Sequence, residues 1–190
     1  AGRTPYIQQL DLEKTGISYT AKGIAVNDYL QTSKEWIYAL GDCCDAPVPK
    51  LTSYGDYQAK YLANLLLGHR NDCITYPKAP AVTVFSIPKL GQVGMSVNQA
   101  KVDSHNYDIK IIDMRHWQNY RRERDDLAQI KLVVEHQSQK VVGAEILSDT
   151  ADILVNYLAL LINLGASMQD VQDIIFAYPS LATDLYGIWT

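Results

Sequence analysis

The residues best suited to chemistry lie where an apolar run meets a polar turn. Trp36-Ile37-Tyr38-Ala39-Leu40 is continuously apolar, stops at Gly41-Asp42 and is followed directly by Cys43-Cys44. Glycine has no Cβ, so a ligand can approach the backbone closely at Gly41. A carboxylate at Asp42 can accept hydrogen bonds from ligand hydroxyls, although an aspartate there, read alone, is more simply a turn residue. Further on, Leu51-Thr52 opens a helix, whose unpaired N-terminal N–H groups favour electron-rich oxygens and developing negative charge. Cys43-Cys44 is a poor candidate for a reversible disulfide, because a vicinal bridge is strained. Both cysteines therefore read as structural or incidental. The stripe Tyr54, Tyr57 and Tyr61 could stack on a ligand, but packing against a sheet is the simpler reading.

The elements that must position these groups follow from pattern. An apolar run bounded by turn residues predicts a strand at 36–40 buried on both faces, as in a parallel α/β sheet. Ligands of such sheets bind at the carboxyl ends of the strands, which is where Gly41-Asp42 falls. The helix after it begins near Thr52, with Ser53 and Asp56 at capping-box spacing and Gly68 as its stop. Residues 71–80 are polar and contain proline, which predicts a boundary between a segment 1–70 and a domain 79–190. In the second part, strands are predicted at 81–87, 92–95, 107–114, 127–135 and 140–147, with a helix at 96–105. Ala128, Ile130, Leu132 and Val134 alternate with Gln129, Lys131 and Glu135, the pattern of a half-buried strand, and 136–139 closes a hairpin. Thr150 and Gly165 bound a helix that is apolar on nearly every face and so needs cover on both sides. Ser167 and Asp170 form a capping box for a helix at 168–176, and Pro179 begins a last helix, 180–188.

Composition narrows the function classes. Over 190 residues the chain is 47% hydrophobic and 20% charged, with a formal charge of −4. This is ordinary globular composition, and the mild acidity argues against a nucleic-acid footprint. The one basic cluster, Arg121-Arg122-Glu123-Arg124, is followed by Asp125-Asp126 and reads as a solvated loop. Three cysteines are too few for a disulfide framework and fit a reducing, cytoplasmic setting. The most membrane-like run, 153–164, is too short to span a bilayer and is interrupted by Asn156 and Asn163, so no membrane partner is expected. Ala1-Gly2-Arg3-Thr4-Pro5 has no initiator Met and reads as the inside of a loop, which predicts a piece of a longer protein.

Several segments together carry a family likeness. Ala1-Gly2-Arg3-Thr4-Pro5 resembles the stretch that leaves the NAD(P) domain in the class I pyridine nucleotide–disulfide oxidoreductases, the glutathione reductase, lipoamide dehydrogenase and mercuric reductase family. Gln31-Thr32-Ser33 through Ile37-Tyr38-Ala39-Leu40-Gly41-Asp42 resembles that family's second FAD fingerprint, T-x(5)-Y-A-x-G-D. Residues 80–88, Val93-Gly94-Met95-Ser96, Val142-Gly143-Ala144 and Pro179-Ser180 follow in family order. The resemblance implies an α+β fold: an antiparallel sheet with helices packed on it over 79–190, the dimerisation domain, preceded over 1–70 by a partial FAD-binding α/β segment. It implies FAD as cofactor, NAD(P)H as co-substrate, a homodimer and a small-molecule electron acceptor. Within it, Asp42 would take ribitol or ribose hydroxyls, with Gly41 allowing close approach and Leu51 and Thr52 facing the flavin pyrimidine edge.

Departures from the family pattern are as informative. The sequence has no G-x-G-x-x-G loop and no C-x(4)-C redox pair. Where the family carries H-P-T-x-x-E, whose histidine protonates a thiol leaving group, this chain has Tyr178-Pro179-Ser180-Leu181-Ala182-Thr183. Tyrosine titrates near ~10, so Tyr178 is a poor proton donor at neutral pH, and Thr183 cannot supply the orienting charge. Asp184 is one residue late and falls off the face that should meet Tyr178. The expectation is an oxidoreductase with an acceptor other than an ordinary disulfide. The alternative is a dimerisation module without catalytic activity of its own.

Overall fold

The computed structural model describes residues 4–189. Ala1-Gly2-Arg3, the start of the segment likened to the NAD(P)-domain exit, lies outside the described residues. Two compact units divide the chain, Ala1–Tyr76 and Pro77–Thr190.

In the first unit short elements gather around one long helix. A single turn, α1 (Leu12–Thr15), is closed by Gly16 in the left-handed region. β1 (Tyr19–Thr20) pairs antiparallel with β2 (Gly23–Ala25), and β2 pairs parallel with β3 (Cys44–Asp45). Ile7, Leu12, Ile17, Ile24, Ala39 and Cys44 form one small core. α2 (Thr52–Leu66) supplies Tyr61 and Leu62 to a second, completed by Leu30.

The strand expected in this unit, and the packing of the next helix upon it, are not what forms. Residues 36–40 form no doubly buried strand. Their one ladder contact is an isolated antiparallel bridge between Gln31 and Tyr38, and Trp36 is 84% exposed. A strand buried on both faces needs a hydrogen-bonding neighbour along its length. Here the segment closes back on its own predecessor, with Thr32 N–H donating to Ile37 O at 2.9 Å and Ala39 N–H to Leu30 O at 3.0 Å. Of the tyrosine stripe of α2, Tyr61 accordingly packs on this loop with Leu30, Tyr38 and Leu40, while Tyr54 and Tyr57 pack on Tyr76, and none packs on a sheet.

The second unit is built on five antiparallel strands. β4 (Ala81–Val84), β5 (Lys89–Gly94), β6 (Tyr107–Asp113), β7 (Gln129–Glu135) and β8 (Val141–Ser148) lie in the order β4-β5-β8-β7-β6. α3 (Val97–Val102), with a Ser96/Gln99 capping box, covers one face over Val133 and Val142. This explains why Val133 is buried although the alternation along β7 points it away from Ile130, Leu132 and Val134.

The other face carries the main core, built with α5 (Ala151–Leu164). Ala151, Leu154, Val155, Leu158 and Leu161 are buried. Each fully buried leucine is worth roughly 1.5–3 kcal/mol. Gly165 at φ 68 ends the helix, and Lys140 Nζ donates to Gly165 O at 2.7 Å, a cation placed where the helix carbonyls are unpaired.

The remaining helices are shorter than their patterns suggest. The basic cluster lies in and beside α4 (Gln118–Glu123), a helix inside the β6–β7 connection and not a plain loop. α6 (Met168–Gln172) has the anticipated Ser167/Asp170 capping box but stops early. Past Pro179 a 3-10 turn, Leu181–Asp184, leads into α7 (Leu185–Ile188).

Candidate functional site

Gly41, Asp42 and Leu51 line one hollow in the first unit, and Thr52 begins α2 directly after Leu51. Gly41–Cys43 is a 3-10 turn and Gly41 sits at φ 68, a conformation a side chain would strain. Gly55 of α2 faces it, and a Cβ on Gly55 would meet Gly41 Cα at 3.6 Å, an ordinary van der Waals contact. The Asp42 side chain is exposed. Its carbonyl, like that of Cys44, accepts from Lys50 Nζ, at 2.7 and 2.8 Å. Leu51 is the N-cap of α2, and no side chain caps that end. The anticipated Ser53/Asp56 capping box does not form, because Ser53 is already inside the helix. The two cysteines turn their thiols onto nearby carbonyls, Cys43 onto Leu40 O and Cys44 onto Gly41 O. Burial pushes the Cys44 thiol up, away from the reactive thiolate.

Sequence reading missed the residue that holds this turn. Gln58 is 1% exposed. Its Oε1 accepts from Gly41 N–H at 2.6 Å, and its Nε2 donates to the Tyr76 hydroxyl at 2.8 Å. The available signal was a polar residue sharing the buried face of Tyr54, Tyr61 and Leu62.

The groups fit a flavin dinucleotide. A side-chain-free approach at Gly41, an exposed carboxylate at Asp42 and an uncapped helix start at Leu51-Thr52 match close backbone contact, sugar hydroxyls and an electron-rich ring edge respectively.

In the second unit, the segment 178–187 is held by three consecutive residues that the sequence did not single out. The Tyr178 hydroxyl donates to Gln118 Oε1, while the ring is 73% exposed. Asn119, 4% exposed, donates through Nδ2 to Ser180 O and to the Asp184 carboxylate, each at 3.0 Å. Gly187 packs against Trp117, whose ring a Cβ at Gly187 would approach to 2.8 Å. Thr183 turns its hydroxyl onto Ser180 O at 2.6 Å. Burial pushes the Asp184 carboxyl up and the Asn119 hydrogen bond pulls it back. Tyr178 and Asp184 thus have separate partners, and neither serves the other as an acid–base pair.

Known proteins resemble this chain in sequence and in fold. Residues 80–186 match the family model of the pyridine nucleotide-disulphide oxidoreductase dimerisation domain, and residues 1–59 match that of pyridine nucleotide-disulphide oxidoreductase. An uncharacterized 19.7 kDa protein in the mercuric resistance operon of Staphylococcus aureus is 34% identical over 93% of this chain and 98% of its own length. Mercuric reductase of the same organism is 30% identical over 97% of this chain, which spans only 33% of that enzyme. The HOCl-induced flavoprotein disulfide reductase RclA from Escherichia coli superposes with a TM-score of 0.89 at 23% identity, over 98% of this chain and 43% of that one. The chain therefore spans a small relative almost entirely and between 29% and 43% of the longer ones.

Proposed function

The chain belongs to the pyridine nucleotide–disulphide oxidoreductase family, and from that premise we propose that it serves an FAD-dependent NAD(P)H oxidoreductase whose electron acceptor is not an ordinary disulfide. Members of the family are FAD-dependent and use NAD(P)H as co-substrate. When bound, FAD supplies the two-electron relay between nicotinamide and acceptor. The chain's own residues bind and orient it. Gly41 would admit close backbone approach, Asp42 would accept hydrogen bonds from sugar hydroxyls, and the N–H groups at Leu51-Thr52 would offer donors to the electron-rich ring.

The observation that carries the acceptor claim is the pair at 178 and 183. Tyr178 commits its proton to Gln118, and Thr183 commits its own to a backbone carbonyl. Neither is poised to protonate a thiolate leaving group, which needs a group titrating near the working pH. The mercury named in two relatives makes Hg(II) the first non-disulfide acceptor to try.

The test uses the whole protein as its gene encodes it. Flavin absorbance is recorded, then NAD(P)H oxidation is followed with Hg(II), quinone, oxygen, glutathione disulfide and lipoamide. We expect bound flavin and turnover with a non-disulfide acceptor. Rapid glutathione disulfide or lipoamide reduction overturns the acceptor claim, and a protein that takes up no flavin overturns the cofactor claim.

A second reading, subunit pairing as this chain's own task, is favoured by the outer face of α5, where Ile153, Tyr157, Leu160 and Leu164 are 36–73% exposed. A homodimer would cover them. Cys43, Cys44 and Cys73 are free thiols, which suits the cytoplasmic setting we propose. Among the described residues, no helix is long and apolar enough to cross a membrane.

A further inference from the structure

The last residues of the first unit are strapped onto α2 by its tyrosines. Tyr57 donates its hydroxyl to Thr75 O at 2.6 Å and Tyr61 to Asp72 O at 2.9 Å. Arg70 pairs with Asp72 through Nε at 2.9 Å and lies 4.6 Å above the Tyr61 ring. Tyr76 packs edge-on against Tyr54 at 5.7 Å and tilted on Tyr57 at 6.0 Å. Its hydroxyl then accepts from Gln58, whose other end holds Gly41 N–H.

We propose that Gln58 and Tyr76 are positioning residues for the turn at Gly41-Asp42, and that the strap 72–76 sets through them how firmly that turn is held. This rests on the flavin reading of the turn. The direction of each hydrogen bond is fixed. Gly41 N–H can only donate, so the Gln58 amide oxygen must face it, and the amide nitrogen must then donate to the Tyr76 oxygen. Gln58 is buried, so a partner lost from either end is not readily replaced by water. Moving the strap withdraws the Tyr76 acceptor, frees the amide to rotate and releases Gly41, which holds a left-handed conformation beside Gly55. Pro77, the next residue, begins the second unit, so any pull on the chain there reaches the strap first. By linkage, ligand binding at the turn steadies the strap to the same degree.

Two readouts test this: NMR hydrogen exchange of the Gly41 amide without flavin, and FAD affinity by flavin fluorescence. Tyr76→Phe keeps the ring and removes the acceptor. It should speed Gly41 exchange about fivefold or more, the usual worth of one such bond, and weaken FAD by a similar factor. Tyr57→Phe loosens the strap and should act in the same direction. Tyr19→Phe, which removes a 2.6 Å bond to Glu13 elsewhere in the unit, should leave Gly41 unchanged. Gln58→Glu still accepts from Gly41 and from the Tyr76 hydroxyl and should keep the amide protected, whereas Gln58→Met should not. Equal exchange in the Glu and Met variants, or in Tyr76→Phe and wild type, overturns the relay. A wild-type protein that binds no FAD, yet whose Gly41 responds to Tyr76→Phe, overturns the flavin reading and leaves the relay standing.

Discussion

His136 illustrates what one side chain contributes beyond the site. Its Nδ1 lies 2.7 Å from His105 O and its Nε2 3.1 Å from Asp108 Oδ2. Both ring nitrogens face acceptors, so the doubly protonated imidazolium satisfies both contacts and the neutral ring only one. The Asp108 carboxylate, followed by the His105 carbonyl, raises the His136 pKa. Because the folded value exceeds the unfolded one, about 6.5, the stabilisation is fully present below that pH. It is lost as pH rises through the folded value. The pair is exposed, so the effect on global stability is small. The clearer measurement is an NMR titration of the imidazole. We expect a midpoint above the unfolded value that falls on Asp108→Asn, and a midpoint indifferent to that change would refute the pairing. Tyr178 makes the complementary point at this scale. Its identity was legible in the sequence, but its partner Gln118 was not, because 60 positions separate them.

At the scale of elements, β5 and β8 cross closely enough to require glycine. A Cβ on Gly143 would lie 1.9 Å from Met95 O, and one on Gly94 would lie 2.2 Å from Val142 O. Both obstacles are backbone, so no rotamer change relieves them. Gly143→Ala should cost about 3 kcal/mol or more in urea unfolding; a loss under about 1 kcal/mol would mean that the strands part easily. The strands of this unit were legible because their alternation records one covered face, as in Ile130, Leu132 and Val134. The capping box at Ser167 was legible for a similar local reason. The run 36–40 misled because apolar residues record a preference for burial and not the neighbour that supplies it. At the site we propose, Gly41, Asp42, Leu51 and Thr52 could be grouped from sequence because they lie near one another along the chain. Gln58 and Tyr76 reach the same turn only through the packing of α2 and residues 72–76. That packing leaves no pattern in sequence beyond one glutamine on a face otherwise made of Tyr54, Tyr61 and Leu62.

For the whole molecule the decisive feature is the free side of α5. Ile153, Tyr157, Leu160 and Leu164 are three or four residues apart and share one helical face. A contiguous exposed apolar stripe marks an association surface. The occupant we propose is a second copy of the chain, because a two-fold axis would let the stripe cover itself and the unit matches a family dimerisation domain. Leu160 stands within the stripe and is 59% exposed, so Leu160→Asp should leave the monomer core intact. We expect wild type to sediment as a dimer at micromolar concentration and its melting temperature to rise with concentration, since dissociation is coupled to unfolding. The variant should sediment as a monomer with an unchanged circular dichroism spectrum and a lower melting temperature that no longer depends on concentration. A Leu160→Asp protein that remains dimeric would move the interface off α5. A wild type that is already monomeric would remove subunit pairing from the tasks this chain performs alone.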